Sequence, residues 1–333
     1  MSGKRLPFSL NPLDPKFVAS KPQNTAPPET IARIEREGNL IITRKRDGYC
    51  HFVAISAKGI RIYTRGVNEV TELYPHIAAR VGALKFPVGT LLAGEMIVDK
   101  DGSDSLEMMG KVAKSSPQNA HAFQRANGGV SYMVFDIIAL NNMLMTERPY
   151  SERLEVIGKY LGGNTRPSNP LCVFAVPVLR MPLEEAQAVV VKNRWEGLVL
   201  YHAEKPGEFR LDGNIERPPR LKGAWKWKPL FEDDFIADRL RMGKQGRRHE
   251  KRMGDLHIVQ IDAKTEKEID CGWLGIGFSD AEREWFTSAT YPLVVQVAFN
   301  ERYASGKPRH ARFVRLREDK KPNECLFNAQ EED

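Results

Sequence analysis

The residues with the most capacity for chemistry begin at the segment KRDGYC, residues 45–50. On a strand, residues two apart share a face, so Lys45 and Asp47 point one way and Arg44 and Arg46 the other. Gly48 then permits a turn. A lysine amine is a nucleophile only when neutral, and at a reference pKa of ~10.4 losing the proton costs ~4 kcal/mol at neutral pH. Nearby cations lower that cost electrostatically. Lys226 and Lys228 alternate along the segment WKWK at 225–228, a spacing suited to holding a phosphate. Taken alone, K-x-D-G is most often a charged hairpin end, and WKWK a solvent-facing strand.

Order along the chain lifts both readings. After KRDGYC come TRG at 64–66, GE at 94–95, VFD at 134–136, EGLVLY at 196–201, WKWK at 225–228 and RLREDK at 315–320. This series resembles motifs I, Ia, III, IV, V and VI of the covalent nucleotidyltransferase superfamily of ligases and capping enzymes. The resemblance covers essentially the whole chain after the first 30 residues. The tail GKPRHARFVRLREDK is similar to the last motif of ATP-dependent DNA ligases.

The resemblance implies a role for each matched residue. Lys45 attacks the α-phosphate of ATP and carries AMP, with Asp47, Lys226 and Lys228 completing the catalytic set. Lys226 and Lys228 hold the α-phosphate. Glu95 contacts the ribose, Arg65 the ribose or an incoming phosphate, Phe135 the adenine face and Thr43 the adenine edge. Glu196 is the carboxylate for Mg2+ or Mn2+, with Glu95 and Asp47 nearby. Arg315, Arg317 and Lys320 orient the leaving pyrophosphate, with Asp319 as their orienter; read from the residues alone, they are equally a basic C-terminal strand that binds DNA backbone, and the two roles are compatible. Read from the residues alone, Phe135 is equally a core side chain and Asp136 equally a structural hydrogen-bond acceptor. One departure stands out: the family usually has arginine at the sixth position of motif I, where this chain has Cys50. His51 or another basic residue is the candidate substitute.

Elements must position these groups. The first 28 residues are Pro-rich and read as an irregular arm on the surface. Thr30, Ile31, Ile34 and Glu35 predict one short helix. NLIITRKRDGYCHFVAI, GTLLAGEMIV and SYMVFDIIAL predict strands, with AKGIRIYTRG the hairpin partner of the first. SERLEVIGKYL and LEEAQAVVVKN have helical periodicity, and the chain after LEEAQAVVVKN passes from helix to strand. From about Asp233 the texture changes to short strands (FIADRLRM, DLHIVQIDA, LVVQVAFNERY, ARFVRLR) between Gly- and charge-rich turns. The expectation is an α+β chain: a nucleotidyltransferase domain of antiparallel sheets with helices over 1–232, then an OB-fold β-barrel domain over 233–333.

Composition bounds the partners. The 333 residues carry 50 Lys and Arg against 43 Asp and Glu, a net charge of +7. Residues 239–252 hold seven Lys or Arg against one acid, and residues 301–321 eight against three. Two such clusters in one small domain favour a polyanionic partner. No run approaches the ~18 apolar residues of a membrane span, and the basic, Pro-broken start lacks the apolar core of a secretory signal. The four cysteines (Cys50, Cys172, Cys271 and Cys325) lie far apart, with neither zinc nor disulfide spacing.

The expected activity is ATP-dependent sealing of 5′-phosphate/3′-hydroxyl nicks in double-stranded DNA, in replication or repair, by a monomer in a bacterial or phage-infected cytoplasm with no membrane contact. The chain resembles the minimal ligases of phages, viruses and some bacteria. An RNA ligase or mRNA-capping guanylyltransferase shares the same lysyl-nucleotide chemistry, and the FVRLREDK tail favours DNA ligase over both. A non-catalytic DNA-binding protein with a decayed nucleotide site is the reading from another class. The joint presence of Lys45, Glu95, Glu196, Lys226 and Lys228 argues against it.

Overall fold

The computed structural model describes residues 3–24, 27–100, 103–162, 172–303 and 305–327. The chain divides into two compact units, residues 1–227 and 228–333. Both mix helices with mainly antiparallel sheets. Among the described residues no helix is long and apolar enough to cross a membrane, and the four cysteines are free thiols.

The first unit is built on two sheets. Strands β1 (Leu40–Lys45), β2 (Tyr49–Ser56), β3 (Gly59–Thr64), β4 (Thr90–Ile97), β5 (Ser131–Leu140), β6 (Gly197–His202) and β7 (Arg220–Trp227) carry the matched motifs. The larger sheet runs Met143–Leu144, β5, β4, β2, β3, with Val173–Ala175 added parallel to β5. The smaller one runs Lys21–Gln23, β7, β6, β1.

The sequence reads residues 39–55 as one strand, but the structure splits it. β1 and β2 are consecutive in the chain yet belong to different sheets. Gly48 lies in the gap, where a Cβ would collide with the Met96 carbonyl oxygen and lie 2.9 Å from Glu95 Cγ. Only glycine lets the backbone press this closely on β4.

Helices α1 (Pro28–Arg36), α2 (Pro75–Ala83), α3 (Leu106–Ala113), α4 (Pro117–Asn127), α5 (Tyr150–Leu161) and α6 (Leu183–Lys192) cover the sheets' outer faces. Ser105 and Ser116 cap α3 and α4 by accepting from Met108 and Asn119 N–H groups. The N-terminal segment is not the surface arm that its prolines suggest. Leu13, Phe17 and Val18 are at most 2% exposed, and Phe17 packs edge-on against Phe52 with ring centroids 5.2 Å apart.

The second unit contains β8 (Phe231–Met242), β9 (Met253–Asp262), β10 (Glu268–Leu274), α7 (Asp280–Ser288), β11 (Leu293–Phe299) and β12 (Arg312–Leu316). The strands lie in the order β10, β9, β8, β11, β12, with Leu326–Phe327 added parallel to β9. No pairing among the described residues closes this row into a ring. Its core joins Phe235, Leu256, Val295, Phe286 and Phe313. A Ser279–Glu282 capping box starts α7. Both β10 and α7 were missing from the pattern read in the sequence.

Candidate active site

Register decides which side chains of the first unit meet. Thr43 and Lys226 both pair with Val199, while Ile42 and Trp225 both pair with Leu200. Strand alternation sends these two rows to opposite faces. Ile42, Leu200 and Trp225 are buried with Ile31 and Ile34 of α1 and Val190 of α6. Thr43, Val199 and Lys226 line a cleft of about 490 Å³. The larger sheet follows the same logic: Val53, Leu92 and Met96 join the helix-covered core, whereas Cys50, Phe52, Ala93 and Glu95 line the cleft.

Lys45 ends β1 opposite Gly197. Its ammonium therefore meets the Glu196 carboxylate in a direct ion pair, with side chains 20% and 7% exposed. Burial pushes the Glu95 carboxyl up to about 8; Lys45 and Arg65 pull it down, and Glu196 and Asp47 push it further up. These five groups share one electrostatic neighbourhood. Glu95 and Glu196 interact electrostatically, and carboxylate oxygens are the donor chemistry of a divalent cation, which commonly takes its remaining ligands from substrate phosphates and water. Among the described residues no cluster of three or more His, Cys, Asp or Glu is arranged to hold a metal.

The remaining matched residues divide by location. Thr43 is 2% exposed and donates from Oγ1 to the Val199 carbonyl at 3.2 Å. Arg65 lines the cleft and donates from Nη2 to the Ser20 carbonyl at 3.2 Å. Phe135 lines the cleft as well. Asp136 accepts from Arg153 at 2.6 and 3.0 Å, the structural acceptor role. Asp47 donates its backbone N–H to Asp104 at 2.9 Å. Lys228, Arg315 and Lys320 belong to the second unit. There, Arg315 donates to Gln296 at 2.7 Å, and Lys320 pairs with Asp234 at 2.7 Å. Arg317 joins Asp234 and Asp319.

The motif I departure has a clear setting. Burial pushes the Cys50 thiol up to about 12, with Arg65 and Lys21 pulling it down. His51 cannot replace the missing guanidinium: it is 2% exposed, its Nδ1 lies 2.8 Å from the Tyr49 carbonyl oxygen, and burial holds it neutral by pulling its pKa down to about 4. The cations beside Cys50 are Arg65 and Lys21. Sequence reasoning missed Lys21, Ser20 and Asp104. The first two lie in the segment read as a surface arm, and nothing in its spacing signalled otherwise.

The domain model described as "ATP dependent DNA ligase domain" matches residues 21–207. A DNA ligase of Thermococcus fumicolans is 24% identical over 316 residues, covering 88% of this chain and 54% of that protein. A probable DNA ligase of Mycobacterium marinum is 27% identical over 320 residues, covering 88% of this chain and 58% of that protein. The chain thus spans little more than half the length of these relatives. A solved structure of a Lig E DNA ligase matches with a TM-score of 0.62 at 18% identity, over 90% of this chain and 99% of that one; at that identity the likeness speaks for the fold alone. With more than half of its residues matched by the domain model, the chain belongs to the ATP-dependent DNA ligase domain family.

Proposed function

We propose that this protein seals nicks in duplex DNA through an AMP adduct on Lys45. The single observation that supports this most is the convergence of Lys45, Glu95 and Lys226 from two sheets on one cleft, with Glu196 paired to Lys45.

Three steps follow. The neutral Lys45 Nζ attacks the α-phosphorus of ATP; a P–N bond forms, the α–β phosphoanhydride P–O bond breaks, and pyrophosphate leaves. A DNA 5′-phosphate oxygen then displaces Lys45 from that phosphorus, giving a 5′–5′ phosphoanhydride. Finally the 3′-hydroxyl attacks the DNA phosphorus and AMP departs. An ammonium paired with a carboxylate is no nucleophile, so Lys45 must release a proton to solvent before the first step, which drawing Glu196 off it favours. A divalent cation, Mg2+ or Mn2+, held by Glu95 and Glu196 would supply that positive charge beside the α-phosphate. Lys226 and Lys228 add cationic charge for the phosphate, Thr43 and Phe135 recognise adenine, and Arg65 takes the ribose or the incoming phosphate.

The first unit is read as the adenylyltransferase domain. The second is read as a partly open OB-fold, on the order of its five principal antiparallel strands. Arg315 and Lys320 are assigned to orienting pyrophosphate, and the basic residues 239–252 to duplex phosphates. The protein is proposed to act as a monomer in the cytoplasm.

The test offers α-labelled ATP or GTP with Mg2+, then nicked DNA or nicked RNA. ATP label with DNA sealing supports the reading. Transfer from GTP alone supports a capping enzyme and contradicts it, as does sealing confined to RNA.

A further inference from the structure

Lys45 sits between two arginines, and the structure ties both of them away from solvent. Arg46 Nη2 lies 2.6 Å from Asp104 Oδ1 and 2.8 Å from Asp99 Oδ2. Arg44 Nη2 lies 3.4 Å from Asp104 Oδ2. The Asp47 N–H donates to that same Oδ2 at 2.9 Å. One carboxylate therefore gathers residues 44, 46 and 47, all around the lysine. The side chains of Asp104, Arg46 and Arg44 are only 5%, 8% and 11% exposed. Asp99 and Asp104 are paired residues on a short two-stranded ribbon, so the gathering point is itself held by backbone.

The network reaches the other side of the site. The Arg44 guanidinium stacks over the Trp195 ring, 4.4 Å from its centroid. Trp195 immediately precedes Glu196, the partner of Lys45. Its own N–H is fixed to the Val190 carbonyl at 3.0 Å. Burying three charged side chains is costly unless they pair well, and burial indeed opposes ionisation of Asp104 while Arg46 and Arg44 favour it. A basic triplet whose arginines merely served a polyanion would leave them in solvent. These are withdrawn.

We infer that Asp104 is a positioning residue for the nucleophile. Through Arg46 and the Asp47 amide it sets the turn that follows Lys45, and through Arg44 and Trp195 it fixes the approach to β6, where Glu196 lies. This deepens the proposed function and rests on it. Lys45 makes and breaks its bond to phosphorus in the first two steps and takes no covalent part in the third. Misplacing a nucleophile by about 1 Å can cost a hundredfold in rate. The loss from disturbing Asp104 should therefore fall on adduct formation.

The experiment compares the full-length wild type with Asp104→Asn, Asp104→Glu and Trp195→Phe in three assays: single-turnover adduct formation at varied ATP, sealing of a pre-adenylylated nick, and thermal melting. Asp104→Asn is expected to slow adduct formation at saturating ATP by about 10- to 100-fold. The ATP concentration for half-maximal rate should change less than threefold, and sealing of the pre-adenylylated nick less than fivefold. Asp104→Glu should recover part of the rate, and Trp195→Phe, which keeps an aromatic face, should lose less than Asp104→Asn. If Asp104→Asn does not fold, the milder variants carry the same comparison. An equal loss in both activity assays, a loss confined to the pre-adenylylated nick, or no loss at all would overturn the inference while leaving the parent reading intact. A wild type that forms no adduct overturns both.

Discussion

Lys45 and Glu196 meet as an ion pair although 151 positions separate them in the chain. The contact exists because β1 and β6 run antiparallel with Lys45 opposite Gly197, which puts the residue before β6 beside the end of β1. Strand register, a backbone property, thus brings amine and carboxylate together. The same register puts Lys226 in the row of Thr43 and Val199, so three distant motifs share one surface.

The Gly48 turn links the nucleophile to the other sheet and should tolerate no side chain. Gly48→Ala would force a methyl group into the Met96 carbonyl and against Glu95. The expected cost is about 3 kcal/mol or more, at the upper end for overpacking because the obstacle is backbone. Urea denaturation measures it, and adduct formation should fall beyond what the unfolded fraction explains, since Glu95 is displaced as well. A variant as stable as the wild type would show that the turn has room to relax.

Glu95 should leave a signature in the pH dependence of stability. Its folded-state value of about 8 stands above the ordinary 4.5, chiefly through burial. Between those values the folded chain keeps a proton that the unfolded chain releases. The contribution is therefore full below about pH 4.5, declines as pH rises, and levels off above about pH 8, with a total of at most about 5 kcal/mol. Glu95→Gln removes this slope. In metal-free buffer the variant should gain melting temperature relative to the wild type more at pH 8.5 than at pH 5. A difference that does not vary with pH would contradict the buried carboxyl.

Duplex binding should be electrostatic and largely blind to sequence. Lys244, Arg247 and Lys251 are exposed in the basic segment of the second unit. Each phosphate neutralised contributes about −0.9 to the slope of log K against log salt. Replacing all three with alanine should reduce the slope by about 2 to 3 and weaken binding similarly across sequences. Titrations between about 50 and 200 mM salt measure it. An unchanged slope would remove this segment from the binding surface.

Much of the site was legible because the chemistry is carried by short segments on strands. Alternation alone separated Lys45 from Arg44 and Arg46, and the structure turns Lys45 to Glu196 while both arginines turn to Asp104. What sequence could not give was pairing. KRDGYC looks like part of one continuous strand because β-branched residues flank it on both sides, and nothing local says that Gly48 divides two sheets. The N-terminal segment misled for a related reason. Its prolines signal irregular backbone, yet Phe17–Ala19 and Lys21–Gln23 pair as short strands and the segment buries Leu13 and Phe17. His51 looked like a spare cation until its burial was known, since a histidine's charge depends on surroundings that sequence does not record.

The most direct measurement locates the nucleotide. The purified protein is incubated with α-labelled ATP and Mg2+, digested, and the modified peptide sequenced by mass spectrometry, with Lys45→Ala alongside. The expected result is one acid-labile AMP on Lys45, no label on the variant, and residual sealing by the variant when the nick is supplied already adenylylated. AMP on any other residue, or a labelled Lys45→Ala protein, would contradict the assignment.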